Sequence, residues 1–186
     1  MKNLIYLFIL IAFSMVSCFG SKDYLVESDY SYAGNFKKYK TFSFINQQRL
    51  DLDSLIPEEL IMKTIKNRMS LLGYKQTDNK PNLLIGFRMY YDDFRFHGWK
   101  QPEIEVWLEE HGFVKEQFDK VKYSLQEGTL MILLVDRRMN KTVWQGYNSG
   151  LIDINSLENE RFIKGSVRLI FDKYRVFAEG YLKERS

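Results

Sequence analysis

Cysteine occurs once in this 186-residue chain, at Cys18, and that scarcity excludes a good deal. One thiol closes no intramolecular disulfide, makes no Cys-x-x-Cys redox pair and offers no thiolate cluster to zinc. Histidine is nearly as rare, with only His97 and His111, so no His-Glu-x-x-His helix exists. Neither sign of charge prevails: 27 Lys and Arg stand against 24 Asp and Glu. That balance lacks the basic footprint of a nucleic-acid binder. The three prolines are scattered and no Gly/Ser-rich tract divides the chain, which argues for one domain. Long apolar runs are missing too. The longest, Leu4–Phe13, would make a helix of about 15 Å, half the roughly 30 Å hydrocarbon core of a bilayer.

The start of the chain is nevertheless patterned. Lys2 gives a positive opening, Leu4–Phe13 a short apolar stretch, and "SMVS" leads to Cys18. This is the layout of a secretory signal peptide over residues 1–17. Met15-Val16-Ser17-Cys18 resembles the bacterial lipobox, in which an apolar residue and two small ones precede an invariant cysteine. The resemblance implies cleavage before Cys18, a diacylglycerol thioether on its sulfur and attachment to membrane through that lipid. Two or three acyl chains hold durably where one is marginal, since each buried methylene contributes about 0.8 kcal/mol. An Asp after the cysteine favours inner-membrane retention in enteric bacteria, and Phe19 stands there instead. An outer-membrane location, on the periplasmic or surface face, is therefore expected. Loss of Lys2 with the leader leaves 26 cationic side chains against 24 acidic, a mature balance of +2. Residues 18–27 read as a lipidated tether and 28–186 as a single domain.

Within that domain, 45% of the whole chain being hydrophobic supplies ample core. "YKTFSFI" (39–45) reads as a strand. In "DSLIPEELIMKTIKNRMSLLGYK", Asp53 or Ser54 is a candidate N-cap and Gly73 a stop, while Ile61, Ile65, Met69 and Leu72 share one face. "NLLIGFRMYYD" alternates, with Leu83, Ile85, Phe87, Met89 and Tyr91 on one side. "VKYSLQEGTLMILLVD" reads as one long strand, and its segment 130–135 is apolar on both faces, so it must be covered twice. "TVWQGYNSGLI" returns antiparallel to it. The last helix starts near Asn155 or Ser156 and buries Ile163, Val167, Ile170 and Tyr174. The expected class is α+β: an antiparallel sheet with two helices on one face, in the order β-α-β-β-β-α, and an aromatic insert between the second and third strands.

With these elements in place, the chain resembles the DUF4136 family of bacterial envelope lipoproteins. The similarity lies in "DYSYAGNFKKYKTFSF" (29–44), "PNLLIGF" (81–87), "EGTLMILLVDRRMNKTVWQG" (127–146) and "IKGSVRLIFDKY" (163–174). Asn35, Asn82 and Leu133 stand where that family more often has acidic residues. The family's function is unknown, so the resemblance implies fold and envelope location and carries over no active site.

Catalytic signatures are missing as well. Ser149 lacks the Gly-x-Ser-x-Gly elbow, and Gly146 and Gly150 lack the Gly-Lys-Ser/Thr of a phosphate loop. Asp92, Asp93 and His97 carry donor atoms in "DDFRFHGW", but no second histidine or cysteine joins them, so neither metal nor cofactor is expected. The stretch 92–122 is the richest in aromatic residues. One reading folds it over the sheet face the helices leave bare. The other leaves Phe94, Phe96, Trp99 and Trp107 to contact a small apolar or glycan ligand, or an envelope protein partner. A structural or interaction module without enzymatic activity is the expectation, with such a carrier as the alternative.

Overall fold

The computed structural model describes residues 25–45, 57–109, 119–126, 128–150 and 160–178. Cys18, residues 1–17, Asp53, Ser54 and the expected start of the last helix lie outside these residues. The chain enters through β1 (Leu25–Tyr30), makes a 3₁₀ turn at Phe36–Lys38, and continues into β2 (Thr41–Phe44) and α1 (Glu58–Leu71). It then runs through β3 (Lys75–Gln76), β4 (Leu83–Tyr90), β5 (Phe94–Trp99) and α2 (Ile104–Glu109). β6 (Lys120–Leu125), β7 (Thr129–Asp136), β8 (Lys141–Ser149) and α3 (Glu160–Phe171) complete it. Six strands form one sheet in the order β1-β8-β7-β4-β2-β3, and β5 and β6 form a separate hairpin.

The class is α+β, as expected, but the order is richer and the sheet is mixed. β2 runs parallel to both β4 and β3, because α1 lies between β2 and β4 as a crossover that returns the chain in the same direction. Four strands were expected and eight are present among the described residues: β1, β3 and β5 were not anticipated, one expected strand is split, and the short α2 makes a third helix beside the two expected. β1 takes up Leu25–Glu27, the last three residues of the expected tether, since pairing with β8 gives even this polar hexapeptide a full antiparallel partner. The single long strand over residues 121–136 is in fact two. Gly128 takes a left-handed conformation (φ 72°) that breaks the run and sends β6 to β5 and β7 to β4 and β8.

One face of the sheet carries the main core. Leu83, Ile85, Phe87 and Met89 from β4 and Leu130, Ile132 and Leu134 from β7 meet Ile61, Ile65 and Met69 of α1 and Ile163, Val167 and Ile170 of α3. Helix α1 ends as its sequence demands. Gly73 (φ 86°) donates to the Ser70 carbonyl and Tyr74 to that of Met69, the paired bonds of a glycine-terminated helix. At its start Pro57 precedes Glu58 and Glu59 without a side-chain cap. The opposite sheet face is covered by the β5–β6 hairpin. Phe96 and Tyr123 stack with centroids 5.0 Å apart, and both meet Tyr147 of β8 edge-on beside Leu125 and Met131. Strand β7 is thus buried from both sides, which its doubly apolar sequence requires.

Candidate functional site

An open cleft of about 670 Å³ lies where the hairpin meets the sheet edge. Its walls come from the end of β1 and the following turn (Asp29–Ala33), the start of β8 (Thr142–Gln145), and Trp99 and Gln101. Three local arrangements hold it. The antiparallel register sets Asp29 opposite Gln145, so both side chains emerge on the hairpin side of the sheet. Gln101 fixes the rim: its Oε1 accepts from Tyr30 N–H at 3.0 Å, and its Nε2 donates to the Tyr30 carbonyl at 2.8 Å. One side chain thereby imitates a neighbouring strand on the outer edge of β1. Behind the rim, Tyr30, Tyr32, Phe36 and Trp107 pack ring against ring, with Tyr30 donating from its hydroxyl to the Pro102 carbonyl.

The four aromatic residues singled out in the sequence part ways. Trp107 is 9% exposed and belongs to the helix-side core. Phe96 is half-buried against Tyr123 and Tyr147. Trp99 is 47% exposed, lines the cleft, and carries the Lys120 ammonium over its ring at 5.5 Å. The backbone of Phe94 starts β5, opposite Leu125. The cleft therefore lies beside the aromatic segment, and Trp99 is the member of that segment that lines it. Asp29, Thr142 and Gln145 were not singled out. Their signal lies in the β1–β8 register, which a single sequence does not display.

Burial lifts the Asp29 carboxyl above the ordinary carboxylate value, partly opposed by a hydrogen bond from the Tyr30 backbone. Other polar side chains have structural tasks. Ser149 is 2% exposed, and its hydroxyl accepts from Gln126 N–H at 2.8 Å and lies 3.0 Å from the Thr129 hydroxyl. Asp136 binds the β7–β8 turn through Oδ1, which accepts from Arg138 and Met139 N–H at 2.8 Å. Asn82 Oδ1 accepts from Lys40 N–H, Thr41 N–H and the Thr41 hydroxyl, locking the parallel β2–β4 start with a neutral amide. Asp92, Asp93 and His97 are exposed, and among the described residues no group of three or more His, Cys, Asp or Glu side chains converges as a metal site. Nor is any helix among them long and apolar enough to cross a membrane.

A mixed sheet with helices on one face and a crossing hairpin on the other, open at a tryptophan-lined edge, defines the class of domain. The family model described as Domain of unknown function (DUF4136) matches residues 26–174. The chain belongs to the DUF4136 family. A solved structure of a DUF4136 family protein from Bacteroides thetaiotaomicron VPI-5482 is 21% identical, with a TM-score of 0.52 over 83% of this chain and 97% of that one. A PDZ domain protein from Parabacteroides distasonis ATCC 8503 matches at 18% identity and TM-score 0.49, over 84% of this chain and 37% of its own. The PelC dodecamer from Paraburkholderia phytofirmans matches at 9% identity and TM-score 0.40, over 82% and 98%. The likeness to the DUF4136 family structure concerns the fold alone. No curated protein matches the sequence.

Proposed function

We propose that this protein is a lipid-anchored module of the bacterial cell envelope, held at the outer membrane through Cys18, whose work is recognition at the Trp99 cleft and not catalysis. The carrying observation is that Trp99, a large apolar ring, stays 47% exposed on a cleft whose walls include the half-buried carboxylate of Asp29. Exposed aromatic surface beside convergent polar groups is the ordinary physical basis of a ligand site. The best-placed hydroxyl and carboxylate elsewhere, Ser149 and Asp136, are engaged in holding turns.

The tether favours this reading. Residues 19–24 join Cys18 to Leu25 and span at most about 25 Å, so the domain stays close to the bilayer. The anchor joins the Leu25 end of β1, whereas the cleft is at the opposite end, from Asp29 to Ala33. Anchorage and access are thereby separated along one strand.

The test uses the purified full-length protein and envelope extracts divided into polysaccharide, lipid and protein pools. Emission from Trp99 is isolated as the difference between wild type and Trp99→Phe. At least one pool is expected to shift it saturably. If every pool leaves it unchanged, the cleft is not a recognition site.

A further inference from the structure

We infer that the cleft takes a neutral saccharide, one pyranose ring lying on Trp99 while its hydroxyls meet Asp29 and Gln145. This rests on the reading of the cleft as the recognition site and narrows it to one ligand class.

Three features select that class. The first is the platform. Trp99 lines the cleft and stays 47% exposed even with the Lys120 ammonium over its ring, so indole surface is left for a ligand. A flat π-face suits a rigid ligand that is apolar on one side and polar at its rim, which describes a pyranose ring.

The second is the floor. Asp29 and Gln145 are directly opposite across β1 and β8, and among the described residues neither side chain is hydrogen-bonded to another side chain. A carboxylate accepts, and an amide both donates and accepts. Side by side, with the Thr142 hydroxyl on the same wall, they match adjacent sugar hydroxyls, each of which donates one bond and accepts others.

The third is charge. An anionic ligand would meet the Asp29 carboxylate in the cleft lining. A purely apolar chain would strip water from Asp29 and Gln145 without replacing its hydrogen bonds, which is costly. An uncharged, hydroxyl-rich ligand avoids both penalties. The volume of about 670 Å³ sits within the roughly 300–1,000 Å³ of ordinary ligand clefts and admits more than a single ring.

Full-length protein is titrated with cellotetraose and with chitotetraose, and in parallel with tetramethylammonium, acetate and octanoate, reading Trp99 emission and calorimetric heat. Saturable binding of at least one tetrasaccharide is expected, weakened about tenfold or more in Trp99→Ala and about tenfold in Asp29→Asn, with Trp99→Phe retaining most of it. The thermal midpoints of the variants report that the fold is intact. Binding of octanoate, acetate or tetramethylammonium but of neither sugar overturns the saccharide assignment while leaving recognition at the cleft in place. Tetrasaccharide binding that survives Trp99→Ala and Asp29→Asn overturns the placement at this cleft. Silence from both sugars overturns the assignment, and the pool experiment above then decides separately whether the cleft recognises anything.

Discussion

The Tyr39 hydroxyl donates a 2.7 Å hydrogen bond to Oδ2 of Asp136, linking residues 97 positions apart in the chain. The same hydroxyl accepts from Asn35 N–H at 3.0 Å, and the other Asp136 oxygen accepts from two amides of the β7–β8 turn. One buried carboxylate therefore ties the 3₁₀ turn after β1 to the central hairpin. Burial, reinforced by the hydrogen bond to Asp136, raises the Tyr39 phenol above its ordinary value, so it stays a donor at physiological pH. Tyr39→Phe should cost about 1–2 kcal/mol, and Asp136→Ala about 3 kcal/mol, because the latter strands three donors at once. Urea unfolding midpoints measure both. An Asp136→Ala loss no larger than that of Tyr39→Phe would contradict this arrangement.

Alkaline pH should unfold the domain through its buried phenols. The Tyr74 and Tyr174 hydroxyls lie 2.8 Å apart in the core, and burial pushes Tyr74 from an ordinary 10.0 up to about 12 and Tyr174 well above its usual value. A phenol with a raised folded-state value ionises first in the unfolded chain. Its contribution is complete below pH about 10 and is lost as pH rises towards 12. Tyr74 alone accounts for about 2 kcal/mol over that interval. Thermal melts between about pH 7 and pH 12 should show a plateau and then a steep fall, less steep in Tyr74→Phe. A fall complete by about pH 9 would place its cause elsewhere.

Gly146 leaves the space that Trp144 fills. A Cβ added there would come within 2.8 Å of both the Trp144 ring and Ile170 Cγ2, in a region where Trp144 is 1% exposed. Neither ring nor helix yields easily in a packed core. Gly146→Ala should destabilise by about 1–3 kcal/mol, seen as a lower thermal midpoint and changed tryptophan emission. An unshifted midpoint would mean that the ring is free to move.

Gln101 closes part of a sheet edge that no other strand among the described residues pairs. β1 is one edge of the six-stranded sheet, and the Gln101 amide occupies both outward backbone groups of Tyr30. Edges left unpaired invite pairing with other chains. Gln101→Ala should lose about 1–2 kcal/mol and associate as concentration rises, which sedimentation velocity measures. A variant that stays as stable and as dispersed as wild type would show that the clamp has no such role.

Much of the fold was legible because its causes are local. The alternation from Leu83 to Met89 places one face of β4 in the core, and the Ile61-Ile65-Met69 stripe does the same for α1. Gly73 stops that helix by the geometry only glycine adopts readily. The doubly apolar run at 130–135 called for cover on both faces, and the β5–β6 hairpin provides the second. What escaped the sequence is non-local. The parallel β2–β4 pair depends on which strand accepts the crossover, and the turn at Gly128 is a short polar break, Gln126 to Thr129, between two stretches that each read as strand. The cleft was half legible: Trp99 belongs to a visibly aromatic segment, whereas Asp29 and Gln145 meet only through pairing between residues 116 positions apart.

Mass spectrometry of the mature protein, purified from native envelopes, tests the anchored-module account most directly. The expected product begins at Cys18 and carries a diacylglycerol on its sulfur, with Cys18→Ala released from the membrane fraction. A mature chain that begins at another residue, or that begins at Cys18 without acyl chains, would contradict it.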